Sequence, residues 1–197
     1  MKNTILILYI LLSTNIFAEN FQGEVSSKTF HEAKEKKSRL QFIVVSTKAG
    51  MFSSDVDGYV KTFSYQSEFD SKNLILRNMK INFKASSMDT DGGSRDEKLH
   101  NLCMDVSKFP KVEISVGGPL FLKDSRKRSY NGTVKIRGKE KKFQIELSTT
   151  RASNDTYQIK GSSTWSLKEM GIPDPSIFIA KLSDEIKINI LINESIK

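Results

Sequence analysis

The chain has 197 residues, 38% of them hydrophobic and 27% charged, enough apolar material for a sizeable core and too much for a disordered chain. Lys and Arg (31) outnumber Asp and Glu (23), for a formal net charge of +8. The signs are interspersed, as in Lys34-Glu35-Lys36-Lys37 and Lys139-Glu140-Lys141-Lys142. There is no basic stripe with interleaved aromatics and no nucleic-acid motif, so the charge reads as a mixed surface and nucleic acid is not an expected partner.

Residues 1–18, MKNTILILYILLSTNIFA, read as a secretory signal peptide, with Lys2 as the positive end and Ile5 to Leu12 as the apolar stretch. That stretch is too short to span a membrane, and no later one is longer, so no transmembrane segment is expected. No Cys stands near the cleavage site to carry a lipoprotein anchor. The expected organisation is a signal peptide over 1–18 and one exported domain over 19–197.

Phe21 to Phe30 is a mixed segment that could form a first strand, and the charged run His31 to Ser38 reads as a solvated turn. Leu40, Phe42 and Val44 alternate as in a half-buried strand. Gly50 turns the chain, and Phe52 is expected to return an aromatic ring to the core. Val56 to Tyr65 reads as the next strand, with Gly58 marking a bulge or a close approach of neighbouring atoms. Leu74 to Ala85 is a long strand whose alternation holds only if a bulge sits near Asn78 or Met79. After the polar stretch Ser86 to Ser94, Leu99 and Leu102 fall at helical spacing, with Ser94 as the expected cap and Phe109-Pro110 as the stop.

Val112, Ile114 and Val116 alternate again; Gly117-Gly118-Pro119 interrupts, and Leu120 to Leu122 resumes the strand. Asp124 to Ser129 reads as a hairpin turn, Tyr130 to Arg137 as a strand, and Gly138-Lys139-Glu140 as a turn into the alternating Phe143, Ile145 and Leu147. A turn at Ser153-Asn154-Asp155 leads to the strand Tyr157 to Trp165. A short turn of helix is expected before Met170-Gly171-Ile172-Pro173. Ile186, Ile188, Ile190 and Ile192 close the chain at strict period two. About eight antiparallel strands with one inserted helix must bury their apolar faces in a closed barrel or a sandwich, and periodicity does not separate the two.

Chemistry-bearing motifs are scarce. Cys103 is the sole cysteine, so an internal disulfide is excluded, and it reads as a small buried hydrophobe. His100 lies close by in sequence, but a spacing of three residues on a helix is common by chance. There is no Ser nucleophile elbow, no HExxH, no phosphate-binding glycine loop and no His/Cys cluster, so neither catalysis nor a metal site is expected.

The helix carries Arg95-Asp96-x-x-Leu99, followed by Asp105 and Phe109-Pro110, and in this it resembles the YceI-like family of secreted bacterial proteins. Ser38-Arg39-Leu40-Gln41-Phe42, Gly50-Met51-Phe52 and Val56-Asp57-Gly58-Tyr59 match the family's early strands, and Met88-Asp89-Thr90 its step before the helix. Gly132-Thr133-Val134-Lys135-Ile136-Arg137-Gly138 is similar to its Gly-x-Leu-x-Ile-x-Gly hairpin; Met170-Gly171-Ile172 and Leu182 to Ile186 are similar to its close. The chain departs from the family at Lys98, where relatives carry His, and at Leu102-Cys103-Met104-Asp105, where an Asp-Phe-Phe-Asp run is common. It departs again at Leu167, which replaces an Arg.

The resemblance implies an all-β fold, an eight-stranded antiparallel lipocalin-like barrel with a short helix inserted between strands. It also implies a long-chain amphiphile held inside: a polyisoprenoid, an isoprenoid quinone or a fatty-acid-like lipid. No cofactor is expected beyond such a ligand, and no enzyme activity follows. The expected place is the periplasm or the outside of a bacterial cell, and the sequence leaves a homodimer open.

The apolar positions nominated for the cavity wall are Phe42, Val44, Phe52, Ile81, Phe83, Ile114, Ile145, Trp165 and Ile188 on strands, with Leu99, Leu102 and Phe109 from the helix and its flank. Arg95 and Asp96 are nominated for the mouth, although a purely structural pairing at the barrel rim is the plainer reading. The rival function is an envelope interaction or scaffold protein with a packed barrel and a basic binding surface.

Overall fold

Residues 19–153, 155–177 and 180–196 are described by a computed structural model; the signal peptide read over 1–18 and Asn154 of the expected turn lie outside them. The strands are β1 (Glu19–Ser26), β2 (Arg39–Lys48), β3 (Phe52–Val60), β4 (Thr62–Asp70), β5 (Ile75–Lys84) and β6 (Met88–Asp89). After these come β7 (Lys111–Val116), β8 (Leu120–Phe121), β9 (Arg128–Ile136), β10 (Lys139–Arg151), β11 (Thr156–Ser166) and β12 (Ala180–Ser195). All join one antiparallel sheet in the order β1-β4-β5-β7-β9-β10-β11-β12-β2-β3-β6, with β8 beside β5.

β3 and β4 are a single run of chain bent at Lys61, so the order departs from β4 and comes back to β3 on the same strand. The sheet therefore curls round into a barrel. The bend leaves no backbone group stranded: the Ser27 N–H donates to the Lys61 carbonyl and the Lys61 N–H to the Ser87 carbonyl, both at 2.8 Å. The Lys61 ammonium reaches the Asp89 carboxylate at 2.9 Å. Burial opposes charge on Asp89, but the bonds from Lys61 and the Asp91 N–H outweigh it and hold its pKa below the ordinary carboxylate value.

Once bends are counted and the two-residue β8 is set aside, the twelve strands reduce to nine runs of chain, one more than the eight expected. β5 and β6 are likewise one run, interrupted by a 3₁₀ turn at Ala85–Ser87, and β8 is a two-residue addition. The bulge anticipated in β5 is present: its register with β4 shifts between Gln66 and Glu68, and Asn78 opposite has φ +54°.

Four local expectations are corrected. The charged run His31 to Ser38 is not a solvated turn; a helix, α1 (Phe30–Glu35), occupies most of it. The Thr29 hydroxyl accepts from the Glu32 N–H, and the Glu32 carboxylate accepts from the Lys28 N–H at 2.8 Å. Only Phe30 and Ala33, three residues apart, face the barrel, with the Phe30 ring edge-on to Tyr59 at 5.2 Å. Phe52 does not return to the core; it is 70% exposed beside a three-residue hairpin loop that turns through Ala49 and Gly50, both at positive φ. The central helix begins after Gly92 rather than on a Ser94 cap. The β9–β10 turn lies at Arg137-Gly138, with Lys139 and Glu140 already in β10.

The central helix is α2 (Gly93–Lys98), which widens into a π-helical turn over Leu99–Met104 and stops at Asp105 in the left-handed region. A last short helix, α3 (Leu167–Met170), has the Ser166 hydroxyl as its cap and Gly171 at φ 72° as its stop.

Candidate functional site

Inward-facing side chains do not pack equally along the barrel. At one end Ile81, Val134, Ile145, Leu147, Ile159 and Ile192 are fully buried and form a solid core. Toward the other end the same faces open. On β12, Ile192, Ile190 and Ile186 are buried but Ile188 and Leu182 are only half-buried. On β2, Leu40 and Phe42 are buried and Val44 is half-buried; on β5, Ile81 is buried and Phe83 is not. The space they leave is a cavity of about 760 Å³, within the range of small-molecule sites.

The cavity is roofed by α2 and the π turn, which bring Ser94, Arg95, Lys98, Leu99, Cys103 and Met104 to it. Side-chain grips hold this lid at both ends. The Asp96 carboxylate accepts from the Thr90 N–H at 2.8 Å and from the Thr90 hydroxyl at 2.7 Å. The Arg95 guanidinium donates back to the Thr90 carbonyl at 2.7 Å. At the far end Arg137 donates to the carbonyls of Leu102 and Cys103 at 3.2 and 2.8 Å, satisfying groups that a helix terminus leaves open.

Of the nominated wall residues, Phe42, Val44, Phe83, Leu99, Ile114, Trp165 and Ile188 line the cavity. Ile81 and Ile145 lie below it in the solid core. Phe52 and Leu102 are exposed on the outside, and Phe109 lies outside the cavity under the Arg137 guanidinium, 5.6 Å from its ring centre. Of the mouth pair, Arg95 lines the cavity and Asp96 turns back to Thr90.

Trp165 is a fixed part of the wall. Its indole N–H donates to the Ser163 hydroxyl at 2.9 Å, which in turn donates to the Gln144 carbonyl, and its ring packs on Phe143 at 5.0 Å. A Trp locked in this way gives the cavity a rigid apolar wall with its one polar atom satisfied.

Sequence reasoning missed Leu40, Val60, Met88, Val112, Ile136, Ile172, Ile177, Leu182 and Ile186, all of which line the cavity. Leu40, Val112 and Ile186 share a face and a period with residues that were nominated, and that signal could have found them. Met88, Ile172 and Ile177 sit in irregular stretches where periodicity is silent.

Polar groups gather at the rim: His31 and Lys34 from α1, Lys48 from the β2–β3 hairpin, Asp91, and Arg95 and Lys98 from the lid. His31 and Asp91 approach to 3.5 Å and tie α1 to the start of the lid. Cys103 is buried, and burial pushes its thiol up to about 11. The His100 ring lies against the Met88 carbonyl at 2.8 Å, so this nitrogen is engaged there rather than with the thiol. The arrangement offers an apolar volume with a charged rim, and among the described residues no cluster of metal-ligating side chains.

A family model for the YceI-like domain matches residues 31–193. No curated protein matches the chain. Among solved structures, the chain resembles Burkholderia cenocepacia BcnA at 15% identity and TM-score 0.65, over 81% of this chain and 97% of that one. It resembles the Campylobacter jejuni YceI protein at 19% identity and TM-score 0.62, over 73% and 86%. A polyisoprenoid binding domain from Saccharophagus degradans matches at 10% identity and TM-score 0.59, over 81% and 98%. At these identities the structures establish the fold.

Proposed function

The chain belongs to the YceI-like family, and on that premise we propose that it holds a long-chain amphiphile in the cavity beneath the lid, as an exported carrier or sequestering protein of the periplasm. Polyisoprenoids, isoprenoid quinones and fatty-acid-like lipids are the ligands in view. The observation that carries the reading is the half-open barrel, in which faces continuous with the core end in half-buried aliphatic and aromatic side chains around about 760 Å³. Each CH₂ moved from water into such a space contributes roughly 0.8 kcal/mol, so about ten give ~8 kcal/mol, the scale of micromolar affinity before ordering costs. The polyisoprenoid binding domain among the structural relatives supports the same ligand class.

This reading requires no reaction. A thiol held near 11 is protonated at neutral pH and a poor nucleophile, which favours binding over chemistry. The scaffold alternative requires a packed barrel, and the openness of the lid end counts against it.

The direct test is mass spectrometry of the organic extract from protein purified from its native envelope. A co-purifying long-chain amphiphile at near one per chain is expected. Protein that carries none, and takes up none when offered a polyprenyl or quinone ligand, would refute the carrier. N-terminal sequencing of the exported form should begin near Glu19; an intact Met1 in the inner membrane would refute the export part alone.

A further inference from the structure

Six large apolar side chains are exposed among the described residues, and they are not scattered. Only Phe121 is remote from the lid end. Met51 and Phe52 are the most exposed, at 76% and 70%, on the tip of the β2–β3 hairpin, with Val45 on the outer face of β2 behind them. Ile177, 45% exposed, is joined to that tip through the ladder: it bridges to Ala180, Ala180 pairs with Lys48, and Lys48 pairs with Phe52. The tip is held out by its turn, in which the Met51 N–H donates to the Lys48 carbonyl at 3.1 Å.

The position matters as much as the exposure. Lys48, Ser54 and Ile177 line the cavity, so the apolar tip is continuous with the cavity wall. Lys34, Lys48, Arg95 and Lys98 line the same opening against Asp55, Asp57 and Asp91, and none of the three lysines has a carboxylate within ion-pair distance among the described residues. The whole chain carries +8.

We propose that the β2–β3 hairpin tip, with Met51, Phe52 and Ile177, docks on an anionic lipid bilayer and sets the cavity mouth against it. A protein partner needs roughly 800 Å² of complementary surface, more than the side chains of Met51, Phe52 and Ile177 offer. A bilayer interface needs only an apolar wedge and cations to meet the headgroups, and it demands no shape match. Docked in this way, an apolar chain passes from the acyl region along Phe52 and Ile177 into the cavity without crossing water. The purpose of the docking rests on the carrier reading; its detection does not.

The test is co-sedimentation of ligand-free mature protein with phosphatidylcholine vesicles, with and without about a quarter phosphatidylglycerol, at low and high salt. Wild type is expected to bind the anionic vesicles, and to bind more weakly without phosphatidylglycerol or at high salt. The double variant Met51→Ser, Phe52→Ser should bind about tenfold less or worse, at an unchanged thermal midpoint, because the tip packs on nothing. Phe52→Leu should retain most of the binding.

Wild type that stays in the supernatant, or a double variant that binds as wild type does, overturns the proposal. So does a double variant that turns a dimer into a monomer while vesicle binding is unchanged, since the tip would then be a contact between copies. Uptake of an isoprenoid quinone added from solvent, without vesicles, separates the two readings. Protein that docks but takes up no amphiphile loses the carrier and keeps the docking; protein that takes it up but never docks does the reverse.

Discussion

Gly58 and Phe42 face each other across the β2–β3 ladder, and the glycine is there because the ring is. A Cβ at Gly58 would lie 2.0 Å from the Phe42 ring, so any side chain drives that ring into the cavity. Gly58→Ala should cost about 1–3 kcal/mol, read as a fall in the denaturant midpoint, and should also reduce ligand capacity. An unchanged midpoint would mean that Phe42 has another place to go. The close approach was legible in the sequence as a glycine inside a strand; the identity of the approaching ring was not, because it depends on register. Cys103 gives a second prediction at this scale. With its thiol raised to about 11, only about one thousandth is thiolate at pH 8, against roughly a quarter for a free thiol. Native protein should therefore react slowly with a thiol reagent at pH 8, speed up as pH climbs toward 11, and react at once when unfolded. Rapid reaction of the native form at neutral pH would restore a nucleophilic reading of Cys103.

At the scale of elements, the lid is unlike the strands around it. Every strand of the barrel is held by a ladder, whereas α2 and the π turn rest on side-chain contacts at Thr90, Met88 and Arg137 and on the buried Cys103 and Met104. Regions held in this way open most readily, and a long ligand needs such an opening. Amide exchange should be faster over Ser94–Cys103 than over Ile186–Ile192, and Asp96→Ala should widen the gap by releasing Thr90. Equal, slow exchange in both segments would make the lid a fixed plug. The helix itself was legible from Leu99 and Leu102, but its π-helical half was not, since no residue type announces an extra residue in a turn. α1 was hidden for a different reason: two apolar residues among four charged or polar ones give too weak a period, and only the Tyr59 ring opposite makes them a face.

At the scale of the molecule, the barrel is two structures joined end to end, a packed core and a roofed cavity. This division is not readable from one chain segment. Ile188 and Ile192 share a strand, a face and a period, yet one borders open space and the other is fully buried. What separates them is what stands across the barrel, contributed by residues far away in sequence. The same substitution should therefore have opposite consequences at the two ends. Ile145→Trp adds bulk to a filled site, where overpacking costs about 1–3 kcal/mol or more, and the thermal midpoint should fall by several degrees. Ile188→Trp places the same bulk into the cavity, where it displaces ligand rather than protein, so the midpoint should hold while amphiphile binding drops about tenfold. Thermal melts and a ligand titration on both variants read the two effects independently. If the midpoint collapses at Ile188 as it does at Ile145, the lid end is packed in solution, and a ligand would have to bind on the outside of the barrel. If binding survives Ile188→Trp at an unchanged midpoint, the ligand occupies the part of the cavity near the lid and Leu182, away from Ile188.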